Sequence, residues 1–596
     1  MTAGWHLAVA ALASCCAAWA AIACSSRPSI PDGGADATLD GRQDAAARDS
    51  SDANESARDV RESASPADGG TPFLTQLAVV SASAPVDGSV PITLVPPFSS
   101  SIHDYYVRCA AGANPITVSM KASNGSKSLL VQPTSSPSLV TQTLSLSVNE
   151  NQAIVAVATD GVATTEYWVR CLPHDFPGLR LTVHGAVPPA YYIMGTAFPG
   201  GKTPYAIVLD GNGVPVWYAA ISGAAVLCVD NVVSGAISFQ AVSPTDLPTY
   251  QFQIDQLSPY AISYAAPAGT SLDDHELRVL SNGHYLVLSE PIKTGVDLTG
   301  MSFPLIDGGV VTPGTNSDIT NCNLVEFDPA TGAVVWTWVG TDHLDPVRDP
   351  TVPQLAQGTS SVLYDGGVVD PFHCNSVDVD PANGNLLVSA RHMDSVFYVD
   401  RSTGNILWKM GGNPKNGVAH VTVPDAFRRQ HDARLLPGFS TTCAGARGQV
   451  SVFDDETGAY FYAPVAPARG VIYDVAIGNA EGGASLEGGC GEAGPFPGGD
   501  GSAAVAWQYS GEYSSEILGS MRITTDGSRV IGWGLGYGPC WATGGCGPKL
   551  AFSVVDDAGK DLLDLAFTDG DSSYRAIPVP LTALDLEAMR RTAGLP

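Results

Sequence analysis

Three histidines that recur in one sequence setting are the residues best suited to chemistry. Each comes directly before a strand-like run, in Asp274-His275-Glu276, Phe372-His373-Cys374 and Gln430-His431-Asp432. The chain has only 11 histidines in 596 residues, so this repetition indicates a shared position in the fold. A neutral imidazole is a nucleophile or a general base, and a protonated one is a general acid.

An arginine accompanies the second of these histidines. Arg391 ends the second strand-like run of the unit that His373 opens, so a hairpin returns it toward the same edge. Its guanidinium would present planar, permanently charged donors to an anionic group. Three imidazoles are also a known zinc ligand set. The pattern therefore leaves open both the transfer of an anionic group and a metal-dependent hydrolysis by the histidine cluster.

Repeated β-hairpins carry these residues. A strand, a glycine-containing turn and a strand ending in tryptophan recur as Tyr205–Trp217, Leu324–Trp336 and Val396–Trp408, with weaker copies at 450–458 and 552–559. A second hairpin precedes most of them, at 277–288, 376–391, 433–450 and 520–531. The repeats predict an all-β, six-bladed β-propeller over 177–596, with a poorly defined second blade at 225–258. Equivalent strand starts then meet at one mouth of the channel.

The residues before the repeats predict three further segments. Residues 1–24 hold an apolar run ending at Cys24, which predicts a lipoprotein-type signal peptide, with an ordinary secretory signal as the alternative. Residues 25–70 are rich in Asp, Ala and Ser and predict a disordered acidic linker. Residues 71–173 alternate polar and apolar side chains, as in a small β-sandwich.

Composition limits the classes of function. The apolar fraction of 44% is enough for a large core, and the net charge of −29 argues against nucleic acid as a partner. Gly200-Gly201-Lys202-Thr203 approaches a phosphate-binding loop, but Thr196 stands where the loop needs glycine. No nucleotide cofactor is therefore expected, and the arginine beside the histidines favours an oxyanion site over a resident metal.

The region with the three histidines resembles the bacterial arylsulfotransferases of the six-bladed propeller type, which work without the nucleotide sulfate donor. The matching motifs span most of 177–596 in the family's order. They are the His-Glu of 275–276, His-x-Asn-Ser-Val-x-x-Asp at 373–380, Leu-Leu-Val-Ser-x-Arg at 386–391, Gln-His-Asp at 430–432, Leu-Gly-Ser at 518–520 and Ser-Tyr-Arg at 573–575.

The resemblance implies a reaction. His431 would attack the sulfur of an aryl sulfate ester, and a sulfohistidine would pass the group to a phenolic acceptor in a ping-pong cycle. Arg391 would bind the sulfuryl oxygens, and His275 and His373 would bind them or protonate the departing phenolate. Glu276 and Asp432 could orient neighbouring rings or simply be solvated. His284, His343, His392 and His420 fall outside the register and are expected to be structural, and Trp336 and Trp408 to be blade core.

Residues 71–173 resemble the cadherin-like β-sandwich of bacterial surface proteins, through Pro97-Phe98, Tyr106, Asp160-Gly161 and Tyr167. A spacer role and a Cys109–Cys171 bridge are expected from it. Cys540 and Cys546 could close a small loop, and the state of Cys374 is left open. The expected location is the outer membrane, the periplasm or the cell surface, with membrane contact only through the lipid anchor. An inactive propeller that binds carbohydrate or protein, or a purely structural surface protein, remain alternative interpretations.

Overall fold

The computed structural model describes residues 70–594 except 83–91, 198, 200–201, 243–250, 256–260, 265–266, 268–269, 305–308, 356–366, 440–446, 459–463, 478–500, 512 and 538–549. The predicted signal peptide, nearly all of the acidic linker and the Cys540–Cys546 loop lie outside the described residues. Within them, no helix has the length and apolar character to cross a bilayer.

Two sheets near the N-terminus pack face to face around a shared core. One sheet has the order β1 (Leu74–Ser81), β3 (Ala113–Ala122), β5 (Thr141–Asn149); the other has the order β2 (Asp104–Arg108), β7 (Thr164–Leu172), β6 (Ala153–Thr159), β4 (Lys127–Gln132). Their inward side chains, such as Val118 and Val169, are fully buried because alternate residues of each strand face the opposite sheet. The predicted Cys109–Cys171 disulfide is present.

Six four-stranded antiparallel sheets follow, and each begins with a short strand near the centre. Their strands, in sheet order, are β41 (Ala576–Pro580), β9 (Ala190–Gly195), β10 (Tyr205–Leu209), β11 (Pro215–Ala220); β12 (Ala225–Asp230), β13 (Ile237–Val242), β14 (Gln251–Asp255), β15 (Ala261–Tyr264); β16 (Leu272–Val279), β17 (Tyr285–Ser289), β22 (Asn323–Asp328), β23 (Ala333–Val339); β26 (Cys374–Val379), β27 (Leu386–Ala390), β28 (Ser395–Val399), β29 (Ile406–Gly411); β31 (His431–Leu435), β32 (Arg447–Asp454), β33 (Arg469–Ala476), β34 (Gly501–Tyr509); and β36 (Ser520–Ile523), β37 (Arg529–Gly532), β39 (Leu550–Val555), β40 (Asp561–Phe567).

The first strands of these sheets form a closed cycle of neighbours. β12 contacts β16, β16 contacts β26, β26 contacts β31, β31 contacts β36, and β36 contacts β41, which returns to β12. Both ends of the region contribute to the closure. The C-terminal β41 pairs with β9 in the first sheet, and β8 (Leu179–Val183) adds a fifth strand to the last sheet. The cycle therefore brings residues from six distant parts of the sequence to one central region.

Smaller elements surround the sheets. They are an added sheet of β18 (Ile292–Val296), β21 (Ser317–Thr320), β25 (Val369–Asp370) and β24 (Gln354–Leu355), the pairs β19 (Phe303–Pro304) with β20 (Val310–Val311) and β35 (Ser514–Ser515) with β38 (Gly536–Tyr537), the linking strand β30 (Ala419–Thr422), the helices α1 (Gly340–His343) and α2 (Leu586–Thr592), and the 3₁₀ turns Arg391–Met393 and Leu581–Ala583. The last residue of β25 in this added sheet is Asp370.

The all-β prediction is confirmed, and two details differ from it. The stretch 450–454 is the second strand of the fifth sheet rather than part of an outer hairpin, because β32 pairs with β33 along its whole length. Trp408 is fully buried as expected, whereas Trp336 is only partly buried and lies under the Arg401 guanidinium. Trp338, two residues later and on the same face, is the buried core residue instead. The second sheet forms at 225–264.

Candidate active site

The first strands of three sheets bring the three predicted histidines together. His275 lies within β16, His373 directly precedes β26, and His431 is the first residue of β31. The ring centroids of His275 and His373 are 5.2 Å apart, and those of His275 and His431 are 6.1 Å apart. His275 and His431 are buried, and His373 is the most exposed of the three.

Each of these rings has a carboxylate on its Nδ1 atom. Asp273 lies 2.8 Å from His275, Asp370 lies 2.6 Å from His373, and Asp455 lies 2.9 Å from His431. Asp273 and Asp370 also accept the backbone N–H of the histidine that they hold. Hydrogen bonding at Nδ1 fixes the ring orientation and leaves Nε2 of each histidine as the atom available for chemistry.

A second acceptor defines the tautomer of His431. Its Nδ1 atom is 3.1 Å from the backbone carbonyl of Arg429 as well as 2.9 Å from Asp455. A carbonyl oxygen cannot donate, so the proton must lie on Nδ1 and the Nε2 lone pair is unprotonated. Burial raises the pKa of the Asp455 carboxyl, and the positive charge of Arg391 opposes that rise. With the proton on Nδ1, the Asp455 oxygen that faces the ring is a hydrogen-bond acceptor.

Electrostatics keep the His431 ring neutral. Burial lowers its pKa well below the usual value, and the positive charge of Arg391 and the neighbouring histidines lower it further. A neutral imidazole with its proton on Nδ1 presents a nucleophilic nitrogen at ordinary pH. The ring therefore presents a neutral lone pair rather than a permanent positive charge.

The Arg391 side chain enters the site from the 3₁₀ turn that joins β27 to β28. The turn Arg391–Met393 ends at Asp394, which has a left-handed backbone with φ 45°. The Arg391 N–H donates to the carbonyl of His373, so the two residues share one backbone contact. Arg391 is 2% exposed. This arrangement holds its guanidinium beside His431 and Asp455.

The residues that follow two of the histidines do not orient rings, contrary to the expectation for Glu276 and Asp432. Glu276 pairs with Arg434 at 2.5 Å and Arg575 at 3.2 Å. Asp432 pairs with Arg434 at 2.7 Å and with Arg522. The cause is the strand alternation, since a residue directly after a ring-bearing position faces the other way. Burial raises the pKa of Glu276, but Arg434 and Arg575 outweigh it and hold the value at about 2.

Tyr574 and Arg575 are further residues of the site, and the sequence analysis assigned neither of them a role. The Tyr574 ring stands edge-on to His275 and His431, with centroids 5.7 and 6.2 Å away. Tyr574 and Arg575 directly precede β41, so they occupy the position in the first sheet that the histidines occupy elsewhere. The Ser-Tyr-Arg motif at 573–575 was the available signal. The left-handed backbone at His373, Arg429 and Asp432 adds local strain of the kind that accumulates at functional sites.

One group of side chains in the described part of the chain has metal-ligand spacing, and it differs from the predicted trio. The donor atoms of Asp370, His373 and His392 lie within 4.8 Å of one another. His392 has both ring nitrogens engaged, with Nδ1 on the Asp370 carbonyl at 2.8 Å and Nε2 on Arg391 at 3.2 Å. A metal at this place would have to displace those contacts. His392, expected to be structural, thus lies within the site.

Cys374, whose bonding state the sequence left open, forms a disulfide. Cys374 is bonded to Cys322, which precedes β22 in the neighbouring sheet. Cys374 also faces Ala390 across the β26–β27 pair, and these two residues adjoin His373 and Arg391. The crosslink therefore fixes the strand ends that carry two predicted site residues. Cys228 carries a buried thiol whose Sγ contacts the carbonyl of His275.

Comparisons with known proteins give one family. Residues 258–484 match the model of the arylsulfotransferase (ASST) family, a range that contains His275, His373, Arg391 and His431. Among solved structures, the chain is similar to an auxiliary nutrient binding protein from Bacteroides thetaiotaomicron (9% identity, 77% of this chain and 95% of that chain, TM-score 0.22) and to apo AztD from Citrobacter koseri (13% identity, 73% and 98%, TM-score 0.18). At such TM-scores neither likeness supports an inference. No curated protein matches the chain.

Proposed function

We propose that this chain is an arylsulfotransferase that moves a sulfuryl group from an aryl sulfate ester to a phenol through a sulfohistidine at His431. The observation that carries the proposal is the neutral His431 ring, whose Nδ1 proton is committed to Asp455 and Arg429. Its free Nε2 lone pair lies in the histidine cluster beside Arg391. No nucleotide donor is required, because the aryl ester itself brings the activated group.

The first half of the reaction forms an N–S bond and breaks an S–O bond. Nε2 of His431 attacks sulfur, and the electron pair of the S–O bond leaves on the phenolate. Negative charge on the sulfuryl oxygens is stabilised by the Arg391 guanidinium, much as in phosphoryl transfer. A protonated imidazole of His275 or His373 gives its proton to the phenolate, so a neutral phenol departs.

The second half reverses these steps with a different phenol. The imidazole that lost its proton takes one from the incoming hydroxyl, whose oxygen attacks sulfur and breaks the N–S bond. Asp455 stabilises the positive charge that the sulfated ring carries between the two halves, and it keeps Nε2 directed at the reacting atom. Tyr574 forms an aromatic wall beside two of the rings, where the aryl group of either substrate would pack.

The architecture that supports this site is proposed to be a six-bladed propeller. The closed cycle of first strands from β12 to β41 supports it, because radial repetition of four-stranded sheets around a channel produces such a cycle. The preceding β-sandwich is proposed to be a cadherin-like spacer, and residues 1–70 a lipoprotein signal and tether. Replacement of Cys24 by Ser should release the protein from the membrane fraction and leave its specific activity unchanged.

Mass spectrometry tests the covalent step directly. Protein incubated with p-nitrophenyl sulfate without acceptor should carry one sulfuryl group, about 80 Da, on the peptide that contains His431. His431→Ala should lose both the adduct and the transfer to phenol. His184→Ala is the matched control, because His184 pairs with Asp564 on the surface, away from the cluster. Full activity in His431→Ala, or an adduct on another residue, would refute the assignment.

A further inference from the structure

The hydrogen-bond partners of the two His392 ring nitrogens require the same tautomer. The Nδ1 atom lies 2.8 Å from the backbone carbonyl of Asp370, and a carbonyl only accepts. The Nε2 atom lies 3.2 Å from Nη1 of Arg391, and a guanidinium only donates. The ring must therefore carry its proton on Nδ1 and offer its Nε2 lone pair to the arginine.

The same ring is fixed on its face and at its backbone. It stacks on His373 with centroids 4.7 Å apart and an angle of 23° between the planes. Its carbonyl accepts from the backbone N–H of Thr351 at 2.9 Å and of Val352 at 3.1 Å. The side chain is buried, with 2% of its surface exposed.

Asp370 connects this ring to the rest of the site. Its carboxylate holds Nδ1 of His373 at 2.6 Å, and its carbonyl holds Nδ1 of His392. One residue of the added sheet therefore sets the orientation of His373 directly and that of Arg391 through His392. His373 and Arg391 are the groups expected to contact the sulfuryl oxygens.

We infer that His392 is a positioning residue that holds the Arg391 guanidinium in the orientation needed to stabilise the transferring sulfuryl group. This inference rests on the proposed function. His392 accepts an N–H of Arg391 at Nε2, and its Nδ1–H is anchored on Asp370, so the arginine can bind an anion without searching rotamers. Such preorganisation matters because a shift of about 1 Å in a catalytic group can cost about 100-fold in rate.

Burial supports this role at working pH. It lowers the pKa of His392 well below the usual value, although the charge of Asp370 acts in the opposite direction. The ring stays neutral, and its lone pair remains available to Arg391.

Two isosteric substitutions separate the two ring nitrogens. The amide of His392→Gln places an acceptor near the position of Nε2, so it can still hold Arg391. The amide of His392→Asn places a donor near Nδ1, so it keeps the Asp370 contact but loses the arginine. We expect His392→Asn to lower kcat about 10- to 100-fold with KM changed less than about twofold, and His392→Gln to lose much less.

A double-mutant cycle asks whether the effect passes through Arg391. In an Arg391→Ala background, His392→Asn should change kcat by less than about twofold, because the group that it positions is gone. Rates are expressed per active site, counted from the burst of phenol release, so a partly unfolded preparation does not imitate a catalytic defect. His392→Phe, which retains the stack on His373, replaces His392→Asn if the latter does not fold.

The outcomes are separable. Equal losses in His392→Asn and His392→Gln, or losses that multiply with that of Arg391→Ala, would overturn the positioning role while the enzyme itself stays active. Wild-type protein that transfers no sulfuryl group would refute the proposed function, and this inference would fall with it.

Discussion

The Nδ1 atom of His431 lies 2.9 Å from a carboxylate oxygen of Asp455, and both side chains are almost completely buried. The residues are 24 positions apart; His431 opens β31, and Asp455 directly follows the neighbouring strand β32. Because a backbone carbonyl shares the same nitrogen, the pair holds His431 in the tautomer that leaves Nε2 free.

Replacing this carboxylate should impair transfer more than folding. Asp455→Asn removes the carboxylate that we propose stabilises the sulfated imidazolium, and it weakens the preference for the Nδ1–H tautomer. We expect kcat to fall about 10³- to 10⁴-fold, the effect typical of an aspartate that orients a reacting histidine. Asp564→Asn, which alters the carboxylate that pairs with His184, should leave the rate unchanged. A loss in Asp455→Asn below about tenfold would show that Asp455 does not serve His431.

The pH dependence should reflect the lowered pKa of His431. The neutral ring is the proposed reactive form, so the acid limb of the kcat/KM profile, which reflects ionisations of the free enzyme, should lie well below pH 6.5. The free energy of unfolding should also decrease toward acid pH. The unfolded chain binds a proton on this residue near pH 6.5 and the folded protein does not, so the free energy of unfolding falls as pH drops below that value. Rates and thermal unfolding between pH 4 and 8 measure both, and an acid limb at or above pH 6.5 would contradict the assignment.

Removal of the Cys322–Cys374 disulfide should affect activity as well as stability. The bond fixes the ends of β26 and β27 beside His373 and Arg391. Replacing both Cys322 and Cys374 by Ala should therefore lower the free energy of unfolding by about 2–5 kcal/mol and reduce kcat. The Cys109–Cys171 pair in the β-sandwich is the control. Its removal should cost a similar amount of stability with kcat unchanged; equal kcat in both double variants would mean that the crosslink does not support the site.

We expect the buried ion pairs of Glu276 with Arg434 and Arg575 to stabilise the fold rather than to take part in the reaction. Glu276→Gln removes one of the two buried carboxylates that face Arg434 and Arg575 and leaves Asp432 as the other, and breaking a buried ion pair costs about 3–5 kcal/mol. Glu587→Gln removes an exposed pairing with Arg590 and Arg591 and should cost less than about 1 kcal/mol. Denaturant-induced unfolding measures both variants. Similar values for the two would show that the Glu276 network contributes little.

A metal-dependent hydrolysis remains the clearest rival reaction. We expect transfer to continue after treatment with a chelator, because the reactive atom of His431 needs no metal to become nucleophilic. Release of free sulfate that is restored by added zinc, with no phenol acceptor required, would favour the rival instead.

The sequence alone determined the strand units, the register of the three histidines and the return of Arg391. These depend on alternation and turn residues within about 20 positions, which are local properties of a strand. Asp273 and Asp370 also left a local signal that was missed, since they precede their histidines by two and three residues.

Only the tertiary structure decided which groups control those histidines. Asp455 reaches His431 from a neighbouring strand, Cys322 reaches Cys374 across two sheets, and Glu276 turns from the rings toward Arg434 and Arg575. These contacts join residues from 24 to 299 positions apart. They depend on how the sheets are arranged around the centre, which no pattern within a single strand specifies.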